Sequence, residues 1–203
     1  MPIFESFPKI PRYNRAVTIT EKIDGTNAQI HIREAPGQGS ELPVGGLDIT
    51  VMLDAAHYCY MRAGSRNRWI SPGDDNFGFA RWVHANALEL AKLGPGTHYG
   101  EWWGSGIQRG YGLVDGEKRF SLFNSARWGA HNPNTPACCS VVPVLATAVT
   151  SSVLSELLDE LRLTGSFAAP GFMKPEGVVI YHSASRQSYK VLLENDDVAK
   201  GTA

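Results

Sequence analysis

Strand-like runs outnumber helical ones in this 203-residue chain, an imbalance that predicts an α+β fold of antiparallel sheets flanked by helices. Helical periodicity occurs in only two stretches, and these fall irregularly between the strands instead of alternating with them as βαβ units would. With 43% hydrophobic residues the chain can bury one substantial core and is too short for two, so a single domain spanning 1–203 is expected.

The first strands are Val17-Thr18-Ile19-Thr20-Glu21-Lys22 and Ala28-Gln29-Ile30-His31-Ile32, which alternate apolar and polar residues on either side of Gly25. They read as a hairpin with Lys22 near its tip. Gly37 to Gly46 is rich in Gly, Pro and Ser and reads as a loop, followed by a strand from Leu47 to Met52. Phe79, Trp82, Val83, Ala87, Leu90 and Ala91 are spaced as one helical face, and Gly94-Pro95-Gly96 stops that helix. His98 to Trp103 and Lys118 to Asn124 are strand-like and are separated by a stretch holding Gly104, Gly106, Gly110 and Gly112. A second helix is expected from Ser152, a good N-cap, to Leu163, ending at Gly165. Strands close the chain at Gly177 to Tyr181 and Ser188 to Leu193.

Net charge −1 and a pI near 6.6 argue against a chain that coats polyphosphate over its whole surface, so any nucleic-acid site is compact. Cys59, Cys138 and Cys139 are odd in number and lack CxxC spacing, which suits a reducing compartment. The N-terminus has no apolar targeting core, and no run approaches the roughly 20 residues of a membrane span. A cytoplasmic monomer without membrane contact is expected.

Glu21-Lys22-Ile23-Asp24-Gly25-Thr26 is the sharpest chemical feature. A lysine attacks a phosphorus only as a neutral amine, which requires desolvation or a nearby cation, and a glycine turn lets a nucleotide approach the backbone. Alone, KxDG is equally an ordinary charged turn. Later segments follow in a set order. These are Ser65-Arg66, Gly100-Glu101-Trp102-Trp103-Gly104, Phe120-Ser121-Leu122-Phe123-Asn124, Glu176-Gly177-Val178-Val179-Ile180 and Tyr189-Lys190-Val191.

In this order and spacing the chain, from Thr20 to about Asp196, resembles the covalent nucleotidyltransferase superfamily of ATP-dependent polynucleotide ligases and capping enzymes. The Glu-Lys-x-Asp-Gly form and the Gly-Glu-Trp block resemble its RNA-ligase branch most. The resemblance implies an adenylation domain of ligase type. Lys22 is the implied nucleophile forming lysyl-AMP from ATP, and Lys190 touches the α-phosphate. The implied nucleotide-binding set is Glu21, Ile23, Asp24, Gly25, Arg66, Glu101, Phe123, Glu176 and Lys190. Glu101 contacts the ribose, Phe123 stacks on adenine, and Glu176 with Glu101 holds Mg²⁺ or Mn²⁺. Such a set is chemically coherent, because phosphoryl transfer is mostly positioning and charge neutralisation, and Mg²⁺ takes carboxylates together with phosphate oxygens.

Each piece alone has a plainer reading. Glu101 and Glu176 could be solvated strand-end acids, Lys190 a surface lysine, and Phe120 a core residue, while only one of Trp102 and Trp103 can face a site. Two departures from the family pattern stand out. Asn124 occupies the place of an acid, and Leu192 replaces a second lysine of the phosphate clamp, for which Lys174 and Arg109 are the candidate substitutes. Arg66, Arg109 and Lys174 are also candidate nucleic-acid contacts. Arg62, Arg66, Arg68 and Arg81 could grip phosphates or belong to a mixed, solvated surface.

With 13 residues after Lys190, the OB-fold that follows the catalytic domain in DNA ligases and capping enzymes is not expected. By resemblance, Met1 to Arg15 would serve the adenylation step instead. The expected partner is RNA with nicked or broken ends, or a DNA-containing duplex, whose 5′-phosphate receives AMP before the 3′-hydroxyl seals the break. The competing readings are a DNA-ligase or capping-type core without its second domain, a weakened nucleotide- or RNA-binding relative, and a structural protein with a coincidental motif series.

Overall fold

A computed structural model describes residues 3–34, 48–54, 57–129, 131–148 and 153–196. The expected loop over 37–46, residue Leu47 and the expected cap Ser152 lie outside these. Among the described residues the strands are β1 Val17–Lys22, β2 Thr26–Glu34, β3 Ile49–Met52, β4 Tyr58–Ser65, β5 Trp69–Ile70, β6 Gly96–Gly104, β7 Lys118–Leu122, β8 Cys139–Val141, β9 Val144–Ala148, β10 Gly177–His182 and β11 Gln187–Leu192. The helices are α1 Phe79–Ala85, α2 Ala87–Leu90 and α3 Leu154–Thr164. One sheet has the order β11-β10-β1-β9, and the second runs β3-β4-β2-β6-β7-β8 with β5 on β4. The α+β class follows.

The expected β1–β2 hairpin does not form. β1 pairs with β10 and β9, whereas β2 pairs with β4 and β6, so Ile23 to Gly25 carry the chain from one sheet to the other. Packing enforces the crossing. Ile23 is buried with Trp103, Tyr111, Val142 and Ala169, and a Cβ on Gly25 would lie 2.5 Å from the Trp102 carbonyl oxygen and 2.7 Å from Trp103 Cβ. Alternation along β1 and β2 is real, but each strand buries its apolar set in a different core.

Two further expectations change. The sheets are not wholly antiparallel, since β8 runs parallel to β7. The single helix over 79–93 is broken at Asn86, whose amide Nδ2 donates to the Trp82 carbonyl and whose φ of −111° leaves the helical range, the local competition expected of Asn. A 3₁₀ turn, Ala91–Leu93, follows α2.

Period-2 patterning sorts the rest. In the four-stranded sheet Val17, Ile19, Val178 and Ile180 pack with Leu161 of α3, leaving Thr18, Thr20 and Lys22 on the other face. In the larger sheet Ala28, Ile30, Ile32, Met61, Trp102 and Phe120 pack against Phe79, Val83 and Leu90, leaving Asn27, Tyr99 and Glu101 opposite. The polar faces of the two sheets enclose a cleft.

Candidate active site between the sheets

The cleft holds a cavity of about 1040 Å³, lined from the smaller sheet by Thr18, Thr20, Lys22, Val179 and Tyr181, and from the larger by Asn27, Tyr99, Glu101 and Phe123. Lys22 pairs with Gly177 in the ladder, which sets its amine beside Glu176, and Lys22 Nζ donates a hydrogen bond to Glu176 Oε2. This ion pair is partly exposed. Gly177 is required where it stands: at φ 154° an added Cβ would collide with the Val191 carbonyl oxygen of β11.

Glu101 is buried, accepting from the Gly25 N–H at 3.1 Å and from Asn27 Nδ2 at 3.0 Å. Asn27 Oδ1 in turn accepts from Arg66 Nε at 2.7 Å, so a polar chain links the crossover to β4. Burial pushes the Glu101 carboxyl up to about 7; the nearby Glu176 charge adds to the rise, while Lys22 and the two hydrogen bonds oppose it. Glu101 and Glu176 thus sense each other and the same lysine. Among the described residues no group of three or more His, Cys, Asp and Glu could hold a metal ion by itself. Two carboxylates fit Mg²⁺ or Mn²⁺ only if a phosphate-bearing ligand and water complete the shell.

Glu21 lies elsewhere. Its carboxylate points away from Lys22 and accepts from Ser166 Oγ at 2.5 Å and from the Phe167 and Ala168 N–H groups at 2.8 Å. Burial raises its pKa against those bonds. Only the Glu21 backbone can meet a ligand in the cleft. Ile23 is likewise buried. Asp24 is held on both sides, its N–H donating to Tyr111 Oη at 2.8 Å and its carboxylate accepting from Arg109 Nε at 3.1 Å.

Phe120 is wholly buried in the core, and Phe123 opens onto the cavity. Neither tryptophan ring faces the cleft. Trp102 is in the core with its Nε1 on the Phe77 carbonyl. Trp103 shares the parity of Glu101 but lies edge-on to Tyr111 with its Nε1 on Ser121 Oγ. Lys190 is exposed on β11 opposite Val179, and hence on the cleft face, although it does not line the cavity. Leu192 shares the Lys22–Gly177 rung. Arg109 and Lys174 do not line the cavity either; Arg109 is spent on Asp24 and on the Lys174 carbonyl. The arginine cluster divides: Arg62, Arg68 and Arg81 pair with Asp48, Asp74 and Asp75, and Arg66 alone of the four reaches the cleft.

Asn27, Tyr99 and Tyr111 were not anticipated. Period-2 parity from Glu101 could have found Tyr99, and through the facing strand Asn27. Tyr111, buried at φ 51° within a glycine-rich stretch, has no sequence signal.

Comparison with solved structures gives the class. A Naegleria gruberi RNA ligase, as a point mutant with AMP and Mn, superposes with a TM-score of 0.55 at 16% identity over 95% of this chain and 57% of that one. A mutant of the same ligase with ATP and Mn gives 0.54 at 16% identity, over 89% and 50%, and an apo mutant 0.53 at 16%, over 88% and 50%. The fold is therefore that of an RNA-ligase nucleotidyltransferase domain, and the chain spans about half the length of the solved chains it matches. A family model described as RNA ligase matches residues 15–198. The chain belongs to the RNA ligase family. A search of curated proteins found no match. Among the described residues no helix is long and apolar enough to cross a membrane.

Proposed function

We propose that this chain is an ATP-dependent RNA ligase whose adenylation step takes place in the inter-sheet cleft of a single nucleotidyltransferase domain. The observation that carries this reading is the Lys22 amine at the seam of the two sheets, bonded to Glu176 and facing Glu101. Lys22 Nζ, having lost a proton to solvent, attacks the α-phosphorus of ATP. A P–N bond forms, the bond to the bridging oxygen breaks, and pyrophosphate leaves. AMP then passes to an RNA 5′-phosphate, and attack by a 3′-hydroxyl seals the strand and releases AMP.

Phe123 offers a ring to the adenine, with Val179 on the facing sheet. Glu101 would serve the ribose or the metal, and Lys190, two rungs along from Lys22 on the same sheet face, the phosphate. Glu176 and Glu101 would hold Mg²⁺ or Mn²⁺ with the nucleotide's phosphates; bound there, the cation neutralises phosphate charge and competes with Lys22 for Glu176.

A second reading has one observation in its favour. Leu192 places an apolar side chain on the Lys22 rung, and neither Arg109 nor Lys174 supplies a cation to the cavity. A relative that binds nucleotide without transferring it would look the same. Intact-mass measurement after incubation with ATP and Mg²⁺ separates the two: a single AMP adduct, absent in Lys22→Ala, is expected of the ligase. An unmodified chain that ATP stabilises thermally would sink the transfer chemistry and leave a binder.

A further inference from the structure

Residues Ile3 to Arg15 form an arm without helix or strand. Ile3, Phe4, Phe7 and Ile10 are each at least 81% exposed, an unusual presentation for large apolar side chains. Interleaved with them are Lys9, Arg12 and Arg15 against one acid, Glu5. On the folded body, Arg62, Arg68, Arg81, Arg109 and Arg119 are all paired with carboxylates. Lys9 and Arg12 have no such partner among the described residues, so the arm carries positive charge that no ion pair offsets.

The arm is rooted at the cleft. His182 Nε2 donates to the Tyr13 carbonyl at 2.8 Å and the Ser183 N–H donates to the Ala16 carbonyl at 3.0 Å, next to Tyr181 of the cavity wall. Pro8 and Pro11 bias it toward extended backbone. At about 3.1 Å per residue, Ile3 to Tyr13 reaches roughly 31 Å. From the Val17–His182 rung to the Lys22 rung is only about 17 Å at 3.3 Å per residue.

From this geometry we infer that the arm is a clamp for single-stranded RNA, its rings stacking on bases and its cations meeting phosphates while the strand end lies at Lys22. Apolar side chains alone would suit a protein groove; three alternating cations suit a polyanion. The inference rests on the RNA-ligase reading for the identity of that polyanion.

The test is fluorescence anisotropy with a labelled, 5′-phosphorylated single-stranded RNA and the full chain, without ATP, over a range of salt. Lys9→Ala/Arg12→Ala is expected to weaken binding about tenfold and to flatten the log–log salt slope by about 1.4, two phosphate contacts of roughly 0.7 each. Phe4→Ala/Phe7→Ala is expected to weaken binding about tenfold with the slope unchanged. All four residues are exposed, so melting midpoints should hold. Unaltered affinity in both variants, or no binding of this RNA by the unmodified chain, overturns the clamp. Variants that bind RNA normally but lose the AMP adduct overturn it in favour of an arm that closes over the nucleotide. Failure of the ligase reading is separate: it appears as an absent AMP adduct in the unmodified chain, whatever the arm variants do to RNA affinity.

Discussion

Glu21 and Lys22 are neighbours in β1, yet their charges lie on opposite sides of the sheet. The Glu21 carboxylate is 1% exposed and closed in by one hydroxyl and two backbone N–H groups from the segment after α3. Lys22 keeps about a quarter of its side chain exposed and meets one acid at the edge of a cavity. Desolvation with full hydrogen bonding makes the first group a strut; partial exposure beside a cavity leaves the second free to change partners. Two adjacent charged residues therefore divide between holding the fold and serving the proposed chemistry, because a strand turns successive side chains to opposite faces.

Substitutions should split along that line. Lys22→Ala is expected to reduce AMP-adduct formation more than about a thousandfold by intact mass, with unfolding free energy changed by about 1 kcal/mol or less, since the ion pair is partly exposed. Glu21→Ala should do the reverse. It removes the acceptor of the buried Ser166 hydroxyl and of the Phe167 and Ala168 N–H groups and is expected to cost roughly 2–4 kcal/mol in urea unfolding, with adduct formation per folded molecule retained. An Glu21→Ala protein of undiminished stability would erase the contrast.

Glu101 tests the comparison from the facing sheet. Its carboxyl titrates near 7 when folded against an ordinary value of 4.5, so the folded state binds the proton more tightly. Its contribution to stability is present below about pH 4.5 and is lost as pH rises through about 7. Metal binding needs the ionised form, so divalent-ion affinity and adduct formation should climb over the same range, at the expense of stability. Glu101→Gln should remove that pH limb and slow adduct formation about tenfold or more; a limb that persists would assign it to another group. The smallest expected effects separate two arginines close in sequence. Arg66→Ala, which cuts the chain to Asn27 and Glu101, should slow strand joining about tenfold, whereas Arg68→Ala, exposed and paired with Asp74, should change stability by about 0.5 kcal/mol or less and leave joining unaltered.

Much of the candidate site was legible as linear text because its parts sit on strands or next to their ends, where parity is visible. Lys22, Glu101, Phe123 and Glu176 all border the cleft. The misreadings came from pairing. The Val17–Lys22 and Ala28–Ile32 runs looked like two arms of one hairpin, since alternation reports which side of a strand is apolar and says nothing of which sheet it joins. Glu21 was placed with Lys22 because adjacency in sequence hides opposite orientation. Arg109 reads as a spare cation in the sequence because its partner, Asp24, lies 85 residues away.

Local pattern was sufficient for the α+β class, the strand faces and the identity of the nucleophile candidate, because alternation, capping and glycine placement act over a few residues. Which strands pair, that β1 and β2 part at Gly25 to line two walls of one cleft, and that two distant carboxylates converge on Lys22 were decided by tertiary packing. Those outcomes depend on contacts such as Ile23 with Trp103 and Gly25 with Trp102, whose energy exists only once both sheets are assembled.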